Sequence, residues 1–160
     1  MKDKNIEIPV RIFSFQELPL SYQELIDQAK KQTQQAYAPY SKFQVGAAVL
    51  LNDGTIVGGN NQENAAYPSG LCAERVAIFS ANAQYPNKKV KALAIAAFTN
   101  GSFIQTPITP CGACRQVLLE TEIRFSQDLE IIMYGEKEIY LIKKASHLLP
   151  LNFSNENLFK

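Results

Sequence analysis

The segment VKALAIAAF, residues 90–98, is the feature that most constrains the fold, because it is nearly all apolar over the length of one strand. A half-buried strand would alternate apolar and polar residues, whereas this pattern is typical of a strand that is covered on both faces. Such a strand belongs in the middle of a layered domain. We therefore expect an α/β fold in which helices cover a central sheet.

The rest of the chain supplies the other elements. SYQELIDQAKKQTQQAY, CAERVAIFSANAQ and CGACRQVLLETE predict three helices, and Ser21 with Glu24 forms a capping-box pattern at the start of the first. FQVGAAVLL and TIVGG predict a hairpin around Asn52-Asp53-Gly54, and LEIIMYG and KEIYLIKKA predict two more strands. TNGSFIQTPIT is predicted to be a surface loop. The sum is one α/β domain over residues 1–160 with a sheet of about five strands.

Charge and composition exclude several classes of function. Sixteen basic and fifteen acidic residues give a net charge of +1 without a basic block, so a long nucleic acid is not expected as a partner. No apolar run has the length of a signal peptide or a membrane span, so we expect a cytoplasmic protein without a membrane partner. In a reducing compartment, three cysteines favour metal ligands, nucleophiles or packing groups over disulfides.

The three cysteines lie at predicted helix starts: Cys72 opens the second helix, and Cys111 and Cys114 open the third. Free N–H groups and the helix dipole stabilise thiolates at such positions. The CxxC spacing lets two sulfurs reach one ion, and a cysteine from a neighbouring helix start completes a set of three ligands. Because a structural zinc site has four protein ligands, the open fourth position predicts a catalytic Zn²⁺, one per chain.

Glu74 distinguishes this interpretation from its alternatives. A CxxC pair also marks thioredoxin-like redox sites, and a glutamate in a first turn often only complements the helix dipole. Two residues after Cys72, however, the carboxylate of Glu74 can face the open position and accept a proton from water. A redox module or a non-catalytic zinc module would not need this carboxylate, and both alternatives stay open on the residues alone.

Cys72-Ala73-Glu74 and Pro110-Cys111-Gly112-Ala113-Cys114 match the pattern of the zinc nucleobase deaminases. Together with NQENAAYP, they resemble specifically the small homotetrameric cytidine deaminases, from about Tyr40 to Phe153. The resemblance implies a three-layer α/β/α fold with a mixed sheet of about five strands. It also implies zinc-dependent hydrolytic deamination of cytidine and 2′-deoxycytidine. Residues 1–19 precede the family's usual start and form an extension of unknown role.

The resemblance further implies how residues at the metal act. Glu74 takes a proton from water and delivers it to N3 of the pyrimidine, and ammonia leaves. Three thiolates around Zn²⁺ leave a formal charge of −1, which Arg75 offsets by hydrogen-bonding the ligand sulfurs. The only histidine, His147, lies outside both motifs and is expected to be a surface or capping residue.

Substrate and subunit contacts are implied in the same way. Asn61 and Glu63 would hold the ribose hydroxyls, and the charge of Glu63 would disfavour a nucleotide phosphate. The ring of Phe43 would stack on the base, and backbone groups of Ala73 would bind its polar edge. Tyr67 and Phe153 would contribute to sites shared between the subunits of a homotetramer.

A second enzyme class also fits the metal motif. Blasticidin-type deaminases use CAE and PCxxC as well, and other aminated heterocycles would suit the same centre. Asn61 and Glu63 favour a ribose and thus a nucleoside. The sequence does not rank cytidine against deoxycytidine, because both present the same base and 3′-hydroxyl.

Overall fold

The computed structural model describes residues 1–158, in which three helices cover a seven-stranded sheet. The strands are β1 (Arg11–Phe13), β2 (Gln44–Leu51), β3 (Ile56–Asn60), β4 (Val90–Thr99), β5 (Ser102–Phe103), β6 (Glu130–Tyr134) and β7 (Ile139–Ile142). The helices are α1 (Leu20–Thr33), α2 (Ala73–Gln84) and α3 (Gly112–Phe125). None of the helices in this described part of the chain is long and apolar enough to cross a membrane.

The sheet is mixed, as expected. Its order is β1-β7-β6-β4-β2-β3, and β5 pairs with the end of β4. Strands β4 and β6 run parallel, and every other pair is antiparallel. A parallel pair needs a crossover connection, which α3 provides between β4 and β6. The predicted hairpin is confirmed as β2 and β3, with Gly54 at φ 90° in the turn.

Two short strands raise the number from the predicted five to seven. In the segment predicted to be a loop, Asn100 and Gly101 both have positive φ, 51° and 83°, so the chain reverses and Ser102–Phe103 pairs with β4. In the extension, Arg11–Phe13 pairs with β7. Segments of two or three residues show no measurable periodicity, which is why the sequence pattern did not reveal them.

Strand β4 contributes side chains to the packing on both faces of the sheet. Its side chains alternate between two apolar cores: Leu93, Ile95 and Ala97 pack towards α2 and α3, while the alanines between them pack towards α1. All of these side chains are buried. The prediction that VKALAIAAF is covered on both faces is therefore confirmed, and the three layers are α/β/α.

Helix α1 begins differently from its predicted start. Pro19 is the N-cap, and its carbonyl accepts the N–H groups of Tyr22 at 2.9 Å and Gln23 at 3.1 Å. Ser21 consequently lies inside the first turn, and the predicted capping box with Glu24 is wrong. The proline fixes an extended entry into the helix, so the side-chain cap has no place there.

Gly59 allows helix α2 to approach the sheet closely. A Cβ atom on Gly59 would lie 2.4 Å from the backbone nitrogen of Ala77 and 2.9 Å from the carbonyl oxygen of Ala73. Both atoms belong to the first turns of α2, so only a glycine permits this distance. The close approach holds the start of α2 beside the end of β3.

We expect Gly59→Ala to lower the free energy of unfolding by about 1–3 kcal/mol, because its methyl group would overlap helix backbone that cannot move independently. Gly58→Ala is the matched control. There the new Cβ would meet the end of the Gln32 side chain, which can rotate away. Urea denaturation of both variants measures the difference. An equal loss in both would show that the approach of α2 is not constrained by Gly59.

Candidate active site

Three cysteines from two helix starts converge at one point. Cys72 is the N-cap of α2, Cys111 is the N-cap of α3, and Cys114 lies in the first turn of α3. The Sγ atoms of Cys72 and Cys111 are 3.8 Å apart, and those of Cys111 and Cys114 are 3.5 Å apart. All three sulfurs lie within 4.8 Å of one another as free thiols. The cluster thus joins both predicted motifs.

The cluster fits a metal ion. In a tetrahedral site with Zn–S distances of about 2.3 Å, the sulfurs lie about 3.8 Å apart. The observed separations are close to this value, so the three sulfurs are positioned to bind one ion. Three protein ligands leave one tetrahedral position for water or substrate. A CxxC redox pair would need only two sulfurs, so the third converging cysteine favours the metal interpretation.

The pKa values of two of the thiols are shifted in opposite directions. Hydrogen bonding with Cys114, supported by the Arg75 guanidinium, lowers the pKa of Cys72 to about 5. The same hydrogen bond, together with burial, raises the pKa of Cys114 above its ordinary value. Without a metal ion, Cys72 therefore loses its proton more readily than Cys114. Binding of a divalent ion to three thiolates must release the remaining protons.

Glu74 is a buried carboxylic acid beside this cluster. It occupies the first turn of α2 and is 5% exposed. Burial raises the pKa of Glu74, and the nearby Cys72 thiolate raises it further, while its own backbone N–H lowers it. A carboxyl group with a raised pKa can both accept and donate a proton near neutral pH.

Glu74 and two cysteines of the cluster open into one cavity of about 680 Å³, while Cys114 is buried behind them. Cys72, Cys111 and Arg75 line it together with Glu74. Four of the predicted substrate residues line it as well, namely Asn61, Glu63, Ala73 and Tyr67. Residues from both motif segments and from the end of β3 are thus brought to one space.

Asn61 and Glu63 are fixed by backbone groups. The Oδ1 atom of Asn61 accepts the N–H of Val45 at 2.8 Å, and its Nδ2 atom donates to the carbonyl of Phe43 at 2.9 Å. The Oε2 atom of Glu63 accepts the N–H groups of Tyr40 at 2.9 Å and Ser41 at 3.3 Å. Hydrogen bonds from Ser41 and Tyr40 lower the pKa of Glu63, so this carboxylate is ionised at the mouth of the cavity.

The two predicted phenylalanines do not line this cavity. Phe43 is partly buried and packs against the core between the sheet and helices α2 and α3. Phe153 is 59% exposed, and its carbonyl accepts the side-chain amide of Gln116 at 3.0 Å. Tyr67 is 79% exposed and meets the ring of Tyr40 edge-on at 6.4 Å between centroids. The roles predicted for these three rings stay predictions.

Arg75 lines the cavity next to the cysteine cluster. Its Nη2 atom donates to the carbonyl of Gly70 at 3.3 Å and lies 4.0 Å from the sulfur of Cys72. Its Nε atom is buried and has no hydrogen-bond partner within residues 1–158. This position places a cation next to a ligand sulfur, as the predicted charge compensation requires.

Sequence reasoning missed the residues that hold the surrounding loops. Arg115 donates from Nε to the carbonyl of Pro110 at 2.8 Å, from Nη1 to that of Leu148 at 2.9 Å, and from Nη2 to Thr109 at 3.0 Å. It thereby fixes the segment that leads into Cys111. Its place directly after Cys114 was a signal, since an arginine there reaches back over the first turn. The roles of Tyr40 and Ser41 as backbone donors to Glu63 have no comparable signal.

We expect Glu74→Gln to stabilise the metal-free protein at pH 7. A raised pKa means that the folded state favours the protonated carboxyl, so ionisation of Glu74 costs stability as the pH rises above 4.5, its ordinary pKa. Urea unfolding from pH 4 to pH 8 should show that the advantage of the variant grows with pH. An advantage that does not change with pH, or a less stable variant, would contradict the assignment of a buried, destabilising charge.

Comparison with known proteins agrees with this site. Residues 20–126 match the model of the cytidine and deoxycytidylate deaminase zinc-binding region. A cytidine deaminase of Sporosarcina psychrophila is 42% identical over 147 residues, which are 87% of this chain and 96% of the relative.

Two solved structures are similar in fold. The cytidine deaminase of Burkholderia pseudomallei is 41% identical, with a TM-score of 0.69 over 81% of this chain and 97% of the other. The cytidine deaminase of Mycobacterium tuberculosis is 34% identical, with a TM-score of 0.67 over 85% of this chain and 99% of the other. The match to the family model and the identity over most of the chain show that this chain belongs to the cytidine and deoxycytidylate deaminase family.

Proposed function

We propose that the protein catalyses the hydrolytic deamination of cytidine and 2′-deoxycytidine to uridine and 2′-deoxyuridine. The observation that carries the proposal is the buried carboxyl of Glu74, which lines one cavity together with Cys72 and Cys111 of the three-cysteine cluster. The relatives support the choice of substrate, because those that match most of the chain are named cytidine deaminases. They favour it over a blasticidin-type activity.

Cys72, Cys111 and Cys114 would hold a zinc ion, and Arg75 would offset the negative charge of the three thiolates. When bound, zinc lowers the pKa of water so that hydroxide is available near neutral pH. The protein contributes the position of the ligands, since the starts of α2 and α3 fix all three sulfurs. Its cationic Arg75 keeps the centre from becoming too electron-rich to activate water.

Glu74 would move the protons. Its ionised carboxylate accepts a proton from the attacking water, and the resulting acid delivers it to N3 of the pyrimidine as oxygen bonds to C4. A second transfer through Glu74 to the amino group breaks the C4–N bond and releases ammonia. Water and cytidine thus give uridine and ammonia in balance. The raised pKa of Glu74 suits this exchange, because it must give up the proton as readily as it takes it.

The cavity wall would select a nucleoside. Asn61 and Glu63 would bind the ribose hydroxyls, and the carboxylate of Glu63 would repel a 5′-phosphate. Ala73 is the first residue of α2, so its N–H has no partner within the helix and is available to the base. Phe43 would support the site through its carbonyl, which holds Asn61. The ring of Phe43 would stack on the base.

We also propose that residues 1–160 act as one cytoplasmic domain that assembles into a homotetramer. The exposed rings of Tyr67 and Phe153 support this assembly, because a neighbouring subunit would cover them and complete the site. Three free thiols suit a reducing compartment.

Glu74→Gln should retain one zinc per chain and lose several orders of magnitude in kcat, because the amide cannot carry the proton. The ultraviolet absorbance of cytidine measures turnover, and elemental analysis measures the metal. Gln84→Glu, at the far end of the same helix, is a control that should leave both unchanged. Near-normal turnover by a zinc-loaded Glu74→Gln variant would remove Glu74 from this role.

The zinc-loaded protein should deaminate cytidine and deoxycytidine, and should leave cytidine 5′-monophosphate and blasticidin S essentially unchanged. Glu63→Gln should lower kcat/KM for cytidine by about 10–100-fold, since a hydrogen-bonded hydroxyl loses its charged acceptor. The same variant should narrow the preference for cytidine over its monophosphate. Faster turnover of blasticidin S than of cytidine would reverse the choice of substrate.

A further inference from the structure

The extension before α1 contains an apolar stripe that the proposed function does not use. In IEIPVRI, residues 6–12, apolar side chains alternate with Glu7, Pro9 and Arg11. The four apolar side chains are exposed by 43% to 60%: Ile6 49%, Ile8 43%, Val10 46% and Ile12 60%. Alternation with period two places side chains on one face of an extended chain. An exposed stripe of four large aliphatic side chains indicates a contact with another molecule.

Strand β1, which continues this stripe, forms an end of the sheet. On one edge it pairs with β7, where Ile12 lies opposite Tyr140 and Phe13 opposite Ile139. Phe13 packs against the core under α1, so Ile12 faces the other side of the sheet. Within residues 1–158, no strand pairs with the outer edge of β1. Its outward backbone groups are therefore free to pair with an added strand.

The sequence of the stripe is complementary to itself. If two copies pair antiparallel about a twofold axis at Pro9, Glu7 lies opposite Arg11 of the second copy. In the same register, Ile6 lies opposite Ile12, and Ile8 lies opposite Val10. Axes at residue 8 or residue 10 lose both charge pairs, and an axis between two residues sets apolar side chains against polar ones. Of these registers, only the one with its axis at Pro9 is therefore stabilised by both opposite charges and apolar pairs across the strands.

We propose that residues 6–12 of two copies of this chain pair as antiparallel strands about Pro9, which joins the two sheets edge to edge. Proline fits this register where its nitrogen faces away from the partner strand. Prolines and charges on an edge strand also serve to prevent pairing. Here, however, the two charges are opposite in sign and meet across the axis, which favours pairing between copies. The contact goes beyond the proposed function, and its test uses no activity measurement.

Disulfide trapping of the zinc-loaded protein tests the register. Pro9→Cys should form a covalent dimer under mild oxidation, because directly opposite residues of a non-hydrogen-bonded pair have Cα atoms about 4.5 Å apart, a distance that a disulfide can span. Glu7→Cys and Arg11→Cys should each stay monomeric on a non-reducing gel, whereas an equal mixture of the two should form a dimer. The unsubstituted protein gives the background of the native cysteines. Equal trapping at positions 7 and 9, or none at position 9, would overturn the proposal.

A charge exchange tests the same contact without relying on the geometry of a disulfide. In the Pro9→Cys protein, Glu7→Arg or Arg11→Glu alone should reduce the yield of dimer about tenfold, because each puts like charges opposite each other twice. The two substitutions together should restore it. Two single variants that behave like the double variant would show that no pairing of Glu7 with Arg11 exists.

Discussion

The need for three sulfurs to reach one ion governs the arrangement of this molecule. Cys72 and Cys111 are N-caps of different helices, so α2 and α3 must lie on the same face of the sheet with their starts together. Gly59 permits the close approach of α2, and Arg115 ties the loop before α3 to the segment near Leu148. Packing of residues that are not themselves ligands therefore helps to bring the three sulfurs together.

The same convergence gives the site its electrostatic character. The helix starts supply partial positive charge, and Arg75 adds a full positive charge. This environment lowers the pKa of Cys72 and favours its thiolate. Glu74 lies among these groups as a buried acid whose ionisation is unfavourable in the metal-free protein. Ionisation of this buried carboxyl costs stability, and yet the carboxyl faces the cavity. This combination is expected of a residue with a chemical role.

The sequence predicted two features of the structure, namely the burial of the central strand on both faces and the position of the cysteines at helix starts. The apolar run in β4 required helices on both faces, and the cysteine spacing required two adjacent helix starts. Strands β1 and β5 escaped prediction because two or three residues have no period, and their pairing depends on β7 and β4. The first helix begins at Leu20 because Pro19 fixes the entry, which overrode the pattern of Ser21 and Glu24. Whether the ring of Phe43 reaches a substrate is decided by packing that no local pattern encodes.

The anchoring of the Asn61 side chain has a consequence for which parts of the site a mutation can change. Its amide spans Phe43 and Val45 as a neighbouring strand would, so this part of the cavity wall is attached to β2, whereas the cysteines and Glu74 belong to helices. Under the proposed function, the group that binds the ribose at Asn61 is thus held by the sheet, and the groups that carry out the reaction are held by helices. Under that proposal, a change in the contact to the sugar leaves the cysteines and Glu74 in place, because the starts of α2 and α3 position them and β2 does not.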